Sequence, residues 1–228
     1  MTRSRSGDRS CELVFDLDGT LSDPFDGIWR SVNYALEWHG RPALPADAFH
    51  GFVGPPIDQS FRALVPDADE AAVASLVDRF RERYGRIGYA ENTLYPAIPD
   101  ALARLRRAGF VCGVCTNKRR DFALQVLDLF ELRAYFAFVA GGDVGVRKAD
   151  QLARLLASGT IAADALMIGD RASDLEAAHA NGLRAVGVAW GFGSEAELAE
   201  AAPCTICRSP AELAEWLIAH ATGTAGTS

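Results

Sequence analysis

Lysine is nearly missing from this chain. Of its 23 basic residues only Lys118 and Lys148 are lysines, and all the others are arginines. Codon bias produces skews of this kind, yet it makes each lysine worth placing. Basic residues are also outnumbered by acidic ones, 30 against 23, for a net charge of −7. A protein that neutralises nucleic-acid phosphates is usually basic, so no nucleic-acid polymer is expected as a partner. No apolar run reaches the roughly 18 residues of a transmembrane helix, and no membrane association is expected. The opening MTRSRSGDRS is polar and has no apolar stretch of the kind a secretory signal carries. Cysteine is scarce and odd in number, five in all. Without a secretory signal this makes a reduced, cytoplasmic setting the expectation.

Two C-x2-C pairs, Cys112/Cys115 and Cys204/Cys207, superficially suggest zinc. Each pair falls in a segment that reads as a strand. Side chains three apart on a strand point to opposite faces and cannot chelate one ion without a turn. Buried apolar thiols are the expected role.

What the chain has is ordinary globular composition, with 49% apolar and 23% charged residues. Its 228 residues suit one large domain or a domain with an insertion. Short apolar runs without alternation recur at Glu12–Phe15, Phe110–Cys115, Ala137–Ala140, Ala165–Ile168, Ala185–Val188 and Thr205–Cys207. Such runs suit strands buried on both faces. Helical patterns separate them at Pro99–Ala108, Arg120–Leu129, Ala149–Ala157 and Asp174–Ala180. A last helix starts at Ser209-Pro210. Alternating strands and helices predict an α/β fold, a doubly wound, Rossmann-like parallel sheet.

From Asp23 to Asn92 the alternation stops. Helical patterns fill Pro24–His39, Asp47–Phe52, Pro56–Leu64 and Ala68–Tyr84. The expected organisation is therefore a sheet domain from residues 11–22 and 93–220, interrupted by an all-helical lid at 23–92. Polar tails are expected at 1–10 and 221–228.

The sharpest motif is Phe15-Asp16-Leu17-Asp18-Gly19-Thr20. Two carboxylates two apart at the end of a strand point the same way, and ligands of open α/β sheets bind at such strand ends. Gly19 lets the chain leave the strand by a turn that a Cβ would hinder. Ile168-Gly169-Asp170-Arg171-Ala172-Ser173-Asp174 repeats the arrangement, with Asp170 at a strand tip and Asp174 at a helix start. Together they predict a four-carboxylate cluster, whose oxygens favour Mg2+. Thr116-Asn117 ends the second strand, where a hydroxyl and backbone N–H groups could hold a phosphate. Lys148 lies in a loop before a helix.

In this order, Asp16-Leu17-Asp18-Gly19-Thr20, Thr116, Lys148 and Gly169-Asp170 with Asp174 resemble the four motifs of the haloacid dehalogenase (HAD) superfamily. The resemblance spans residues 11 to 218. The helical insertion resembles that superfamily's C1 cap. Asp23–Ile28, Phe52–Pro56 and Glu91–Pro96 resemble the phosphoglycolate-phosphatase-like branch, within it proteins described as 5′-nucleotidases. Where many members have Lys-Pro, this chain has Lys148-Ala149.

The resemblance implies a Mg2+-dependent phosphomonoesterase acting on a small phosphorylated metabolite, phosphoglycolate or a 5′-nucleotide, through an aspartyl-phosphate. Asp16 would be the nucleophile and Asp18 the acid and base. Gly19, Thr116, the Asn117 amide and Lys148 would bind the phosphoryl group. Asp16, the Asp18 carbonyl and Asp170 would hold Mg2+, with Asp174 supporting from behind. Arg62, just after the Phe52–Pro56 loop, is a candidate for binding a carboxylate or second phosphate of the substrate. Trp29 and Trp38 could stack on a base, though packing within the lid is the expected role. A sugar-phosphate mutase or a non-catalytic regulatory protein of the same fold are the alternatives. Asp18 argues against a dehalogenase, and a lid without lysine argues against a phosphonate hydrolase. Monomer and homodimer are both open.

Overall fold

Strand β1 (Cys11–Phe15) is the centre of the sheet, with Leu13 and Phe15 packed to one face and Val14 to the other. A computed structural model describes residues 11–221. The expected tails at 1–10 and 221–228 lie outside these residues, Ala221 excepted, which ends the last helix.

After β1 the chain forms the two-residue β2 (Ser22–Asp23), helix α1 (Phe25–Trp38), helix α2 (Ile57–Leu64) and helix α3 (Glu70–Arg86). It returns through β3 (Thr93–Leu94) into α4 (Ile98–Arg107), β4 (Cys112–Arg119), α5 (Arg120–Leu129) and β5 (Phe136–Gly142). Then follow α6 (Lys148–Ala157), β6 (Ile161–Gly169), α7 (Ala172–His179), β7 (Arg184–Val188), α8 (Glu195–Glu200), β8 (Ile206–Cys207) and α9 (Pro210–Ala221). The sheet order is β5-β4-β1-β6-β7-β8, and every pairing in it is parallel. This is the doubly wound α/β sheet expected from the alternation of apolar runs.

Each face of the sheet has its own core. Leu102 and Leu105 of α4, Val126 and Leu127 of α5, and Leu213 and Leu217 of α9 cover the face of Leu13 and Phe15. Leu152 of α6, Leu175 and Ala178 of α7, and Leu198 of α8 cover the face of Val14. Cys112 joins the first core and Cys115 the second, so the side chains of that C-x2-C pair point apart. Burial pushes both thiols up to about 12.

Helices α1 to α3 build a third apolar cluster from residues including Val32, Phe61, Leu76, Val77 and Phe80. Asp69 caps α3 by accepting from the Ala72 amide at 2.8 Å. Phe122 of α5 joins this cluster, and its ring centroid lies 5.1 Å from that of Tyr84. The two chain crossings pair with each other, Ser22 opposite Leu94 and Asp23 opposite Thr93, in an antiparallel ribbon.

Several expectations needed correction. The helix expected at Asp47–Phe52 is two separate 3-10 turns, Ala46–Ala48 and His50–Phe52. The stretch is short and is followed by Gly54-Pro55-Pro56, which cannot continue it. Strand β4 runs past Thr116 to Arg119, with its register to β5 shifting between those residues. Lys148 opens α6 instead of standing in the loop before it. Helix α8 and the ribbon of β2 with β3 had no expectation.

Candidate active site

The carboxyl ends of β1, β4 and β6 meet at one point because these strands are neighbours in a parallel sheet. Asp16 and Asp18 leave β1 there, 4% and 7% exposed. Gly19 follows with φ of +88°, a region that costs a side chain dearly. A Cβ at Gly19 would stand 2.1 Å from Asp170 Oδ2, and one at Gly191 would stand 2.4 Å from the same oxygen. Two glycines thus clear the space that Asp170 occupies. That carboxylate accepts from Thr20 Oγ at 3.1 Å and from the Phe192 amide at 2.9 Å.

One ligand oxygen each from Asp16, Asp170 and Asp174 lie within 4.8 Å of one another, all three residues buried. Burial, then the neighbouring Asp174 and Asp16 charges, push the Asp170 carboxyl well above the usual range. Burial also raises Asp174, against the pull of Lys148. Lys148 Nζ stands 2.8 Å from Asp16 Oδ1 and donates to Asp174 Oδ1. Burial opposes the ammonium, but Asp16 and Asp174 outweigh it and hold its pKa above the usual lysine range.

Thr116 is buried at the end region of β4. Its Oγ accepts from the Lys118 amide at 3.2 Å, and its carbonyl accepts from Gln151 Nε2 at 3.1 Å. Asn117 reaches the helical segment, donating from Nδ2 to the Gly54 carbonyl at 3.0 Å. Arg171 does the same to the Val53 carbonyl at 2.8 Å. The loop at Val53-Gly54 is therefore tied to both β4 and the start of α7.

The second lysine is at the site as well. Lys118 Nζ lies 2.6 Å from Asp18 Oδ2 and donates to Tyr84 Oη at 2.8 Å. Sequence reasoning assigned neither Lys118 nor Tyr84 a role. The scarcity of lysine was the signal available for Lys118; for Tyr84 there was none, since an aromatic at helical spacing reads as core.

Arg62 is a correction. It lies exposed on α2 and makes a two-pronged pair with Glu70, so its side chain is committed at the surface. The cleft beside the carboxylates is lined instead by Phe52, Pro55, Pro56, Phe80, Tyr84 and Phe122, among others. Its three lining cations each hold a protein carboxylate: Arg81 with Asp143, Lys118 with Asp18, and Arg119 with Asp121. Trp29 packs against the helical cluster and donates from Nε1 to the Leu44 carbonyl at 2.8 Å. Trp38 is exposed, with the Arg79 guanidinium over its ring.

The donor set fits a hard divalent cation. Four buried carboxylates, Asp16, Asp18, Asp170 and Asp174, face two ammonium groups, Lys118 and Lys148. One oxygen each from Asp16, Asp170 and Asp174 converge in a place shielded from water, and these donors are all oxygen, the kind a hard divalent cation prefers.

Sequence and fold comparisons show the family. The pattern that defines haloacid dehalogenase-like hydrolases matches residues 13–188. A 5′-nucleotidase of Pseudomonas aeruginosa is 38% identical over 212 residues, covering 91% of this chain and 96% of that protein. The tyrosine-protein kinase PtkA of Mycobacterium tuberculosis is 38% identical over 196 residues, covering 83% of this chain and 66% of that longer protein. A phosphoglycolate phosphatase of Mesorhizobium japonicum is 32% identical over 79% of this chain and 83% of its own length. The crystal structure of a predicted phosphatase from Clostridium acetobutylicum superposes with a TM-score of 0.86 at 34% identity, over 93% of this chain and all of that one. The chain belongs to the haloacid dehalogenase-like hydrolase family and stands among its phosphatase-type enzymes. Among the described residues no helix is long and apolar enough to cross a membrane.

Proposed function

We propose that this hydrolase cleaves phosphate monoesters of small metabolites through a covalent intermediate on Asp16, with Mg2+ as its metal. The observation that carries the reading is the pairing of a buried carboxylate, Asp16, with the Lys148 ammonium at 2.8 Å, beside two further buried carboxylates. Asp16, Asp170 and the main-chain carbonyl of Asp18 would hold Mg2+. Bound there, the cation would supply positive charge where an anionic phosphate must approach an anionic carboxylate.

The chain's own residues divide the work. An Asp16 oxygen attacks phosphorus and the bond to the leaving oxygen breaks, while Asp18 gives that oxygen its proton. Asp18 then takes a proton from water, whose oxygen attacks phosphorus. The bond to Asp16 breaks and inorganic phosphate leaves. Lys148 offsets charge at Asp16 throughout, and Gly19, Thr116 and the Asn117 amide bind the transferring group. Helices α1 to α3 act as a cap that excludes water, crossing to the sheet domain through β2 and β3.

The cleft favours a nucleoside 5′-monophosphate over phosphoglycolate. Its walls are aromatic and apolar, and each of its cations already holds a carboxylate, so nothing there is left to neutralise a glycolate carboxylate. A base can instead lie against the rings of the walls. Cys112, Cys115, Cys204 and Cys207 are unpaired, in keeping with action in the reducing cytoplasm. The test is a panel of phosphate esters assayed with Mg2+ and again with EDTA. Metal-dependent turnover of 5′-nucleotides well above phosphoglycolate supports the reading; folded protein inert towards the whole panel contradicts it.

A further inference from the structure

Three parts of the molecule meet at the Lys118 ammonium. It reaches out from β4, grips Asp18 Oδ2 at 2.6 Å after β1, and donates to Tyr84 Oη at 2.8 Å on α3. The Lys118 and Asp18 side chains are 6% and 9% exposed, and Tyr84 is fully buried. The ammonium also lies 4.6 Å from the centre of the Tyr84 ring, close enough for a cation–π attraction. Asp18 Oδ1, by contrast, has no hydrogen-bond partner, although Asp18 lines the cleft. One carboxylate oxygen is fixed; the other is buried and without a partner.

We propose that Lys118 and Tyr84 form a latch that orients the Asp18 carboxyl towards the leaving-group oxygen when the helical segment closes on the sheet. This rests on the assignment of Asp18 as proton donor. Tyr84 rides on α3, so its hydroxyl reaches Lys118 only with α3 docked. Docked, it immobilises Lys118, and Lys118 immobilises Asp18 through Oδ2. Oδ1, which no protein group holds, is then the oxygen left to hydrogen-bond with the leaving group. Proton transfer to a leaving group depends steeply on such placement, since the carboxyl must be within hydrogen-bond reach of its target. Lys118 and Tyr84 are positioning residues here: they act through Asp18.

The latch is separable from docking itself. Val53 and Gly54 are held to the sheet domain by Arg171 and Asn117, and Arg81 of α3 pairs with Asp143. Tyr84→Phe keeps the ring and its packing on Phe122 and removes the hydroxyl alone.

The test compares two esters in wild type, Tyr84→Phe, Lys118→Met and Asp18→Asn. p-Nitrophenyl phosphate expels an oxygen that needs no proton, whereas glycerol phosphate expels an alkoxide that does. kcat/KM reports steps up to leaving-group departure, and so sees Asp18 only as an acid. The expected result is a loss of about tenfold or more in kcat/KM on glycerol phosphate for Tyr84→Phe, with less than about a twofold loss on p-nitrophenyl phosphate. Lys118→Met shows the same imbalance, larger. Equal losses on the two esters, or no loss on either, in a folded Tyr84→Phe variant overturn the latch. Asp18→Asn with equal losses on both esters overturns the assignment of Asp18 as proton donor, and the latch with it, while leaving phosphatase activity itself standing.

Discussion

Lys148 Nζ sits 2.8 Å from Asp16 Oδ1, and both residues are buried. The same ammonium serves Asp174, so one lysine offsets two carboxylates that have almost no water to screen them. Removing one partner of a buried pair leaves uncompensated charge, at a cost of about 3–5 kcal/mol. Lys148→Met therefore destabilises the metal-free protein by about that amount in denaturant titrations and lowers kcat by at least about a hundredfold. Lys148→Arg does not restore activity, because a planar guanidinium cannot take the place of a compact ammonium between the two oxygens.

Asp170 has the opposite effect on the metal-free fold. Its carboxyl is held well above the usual range by burial and by Asp174 and Asp16, so its charge is a burden until a cation shares it. Asp170→Asn should raise the melting temperature in EDTA. In wild type, Mg2+ at about a hundred times its Kd adds about 2.7 kcal/mol of stability; in Asp170→Asn that increment disappears. Thermal melting with and without Mg2+ checks both signs.

The space for Asp170 depends on Gly19. Gly19→Ala places a Cβ against the Asp170 carboxylate in a backbone region with φ of +88°. The conformational part alone costs about 1–2 kcal/mol, and the displaced carboxylate weakens Mg2+ binding by about 10- to 100-fold. Mg2+ titration followed by activity and by melting reads both effects.

Stability should also respond to pH through Glu91. Its carboxylate accepts from Arg83 at 2.8 and 3.0 Å and from Arg30 at 2.9 Å. The Arg83 hydrogen bonds, with Arg30 assisting, hold its pKa below the usual glutamate value. A depressed pKa stabilises the fold above the unfolded value and loses that contribution as pH falls through the folded one. Glu91→Gln should cost about 0.5–1 kcal/mol at neutral pH, a small figure because solvent screens the pair. The difference from wild type should vanish in acid, when Glu91 is itself neutral. Urea unfolding at a series of pH values measures it.

Much of this architecture is visible in the chain. Apolar runs such as Ala165–Ile168 mark strands buried on both faces, and the acids after β1 and β6 stand at strand ends by spacing alone. Other features depend on partners distant in sequence. Nothing in the sequence assigns Lys118 a partner until the fold brings Tyr84 and Asp18 to it. The two-residue strands β2 and β3 are too short to carry a period; each exists because it pairs with the other. Arg62 lies next to the loop over the cleft in sequence, yet a helix turns it outward to Glu70, and only the helix phase decides that.

The proposed reaction runs through a covalent phosphoryl intermediate on Asp16. Tritiated borohydride reduces an aspartyl-phosphate to homoserine and leaves free carboxylates untouched, so it marks the nucleophile directly. Enzyme turning over a 5′-nucleotide with Mg2+, quenched into the reagent and digested, should carry label at residue 16 alone. No label should appear without substrate or in Asp16→Asn. Label at another acid, or an Asp16→Asn variant that still releases phosphate at the wild-type rate, would contradict the account.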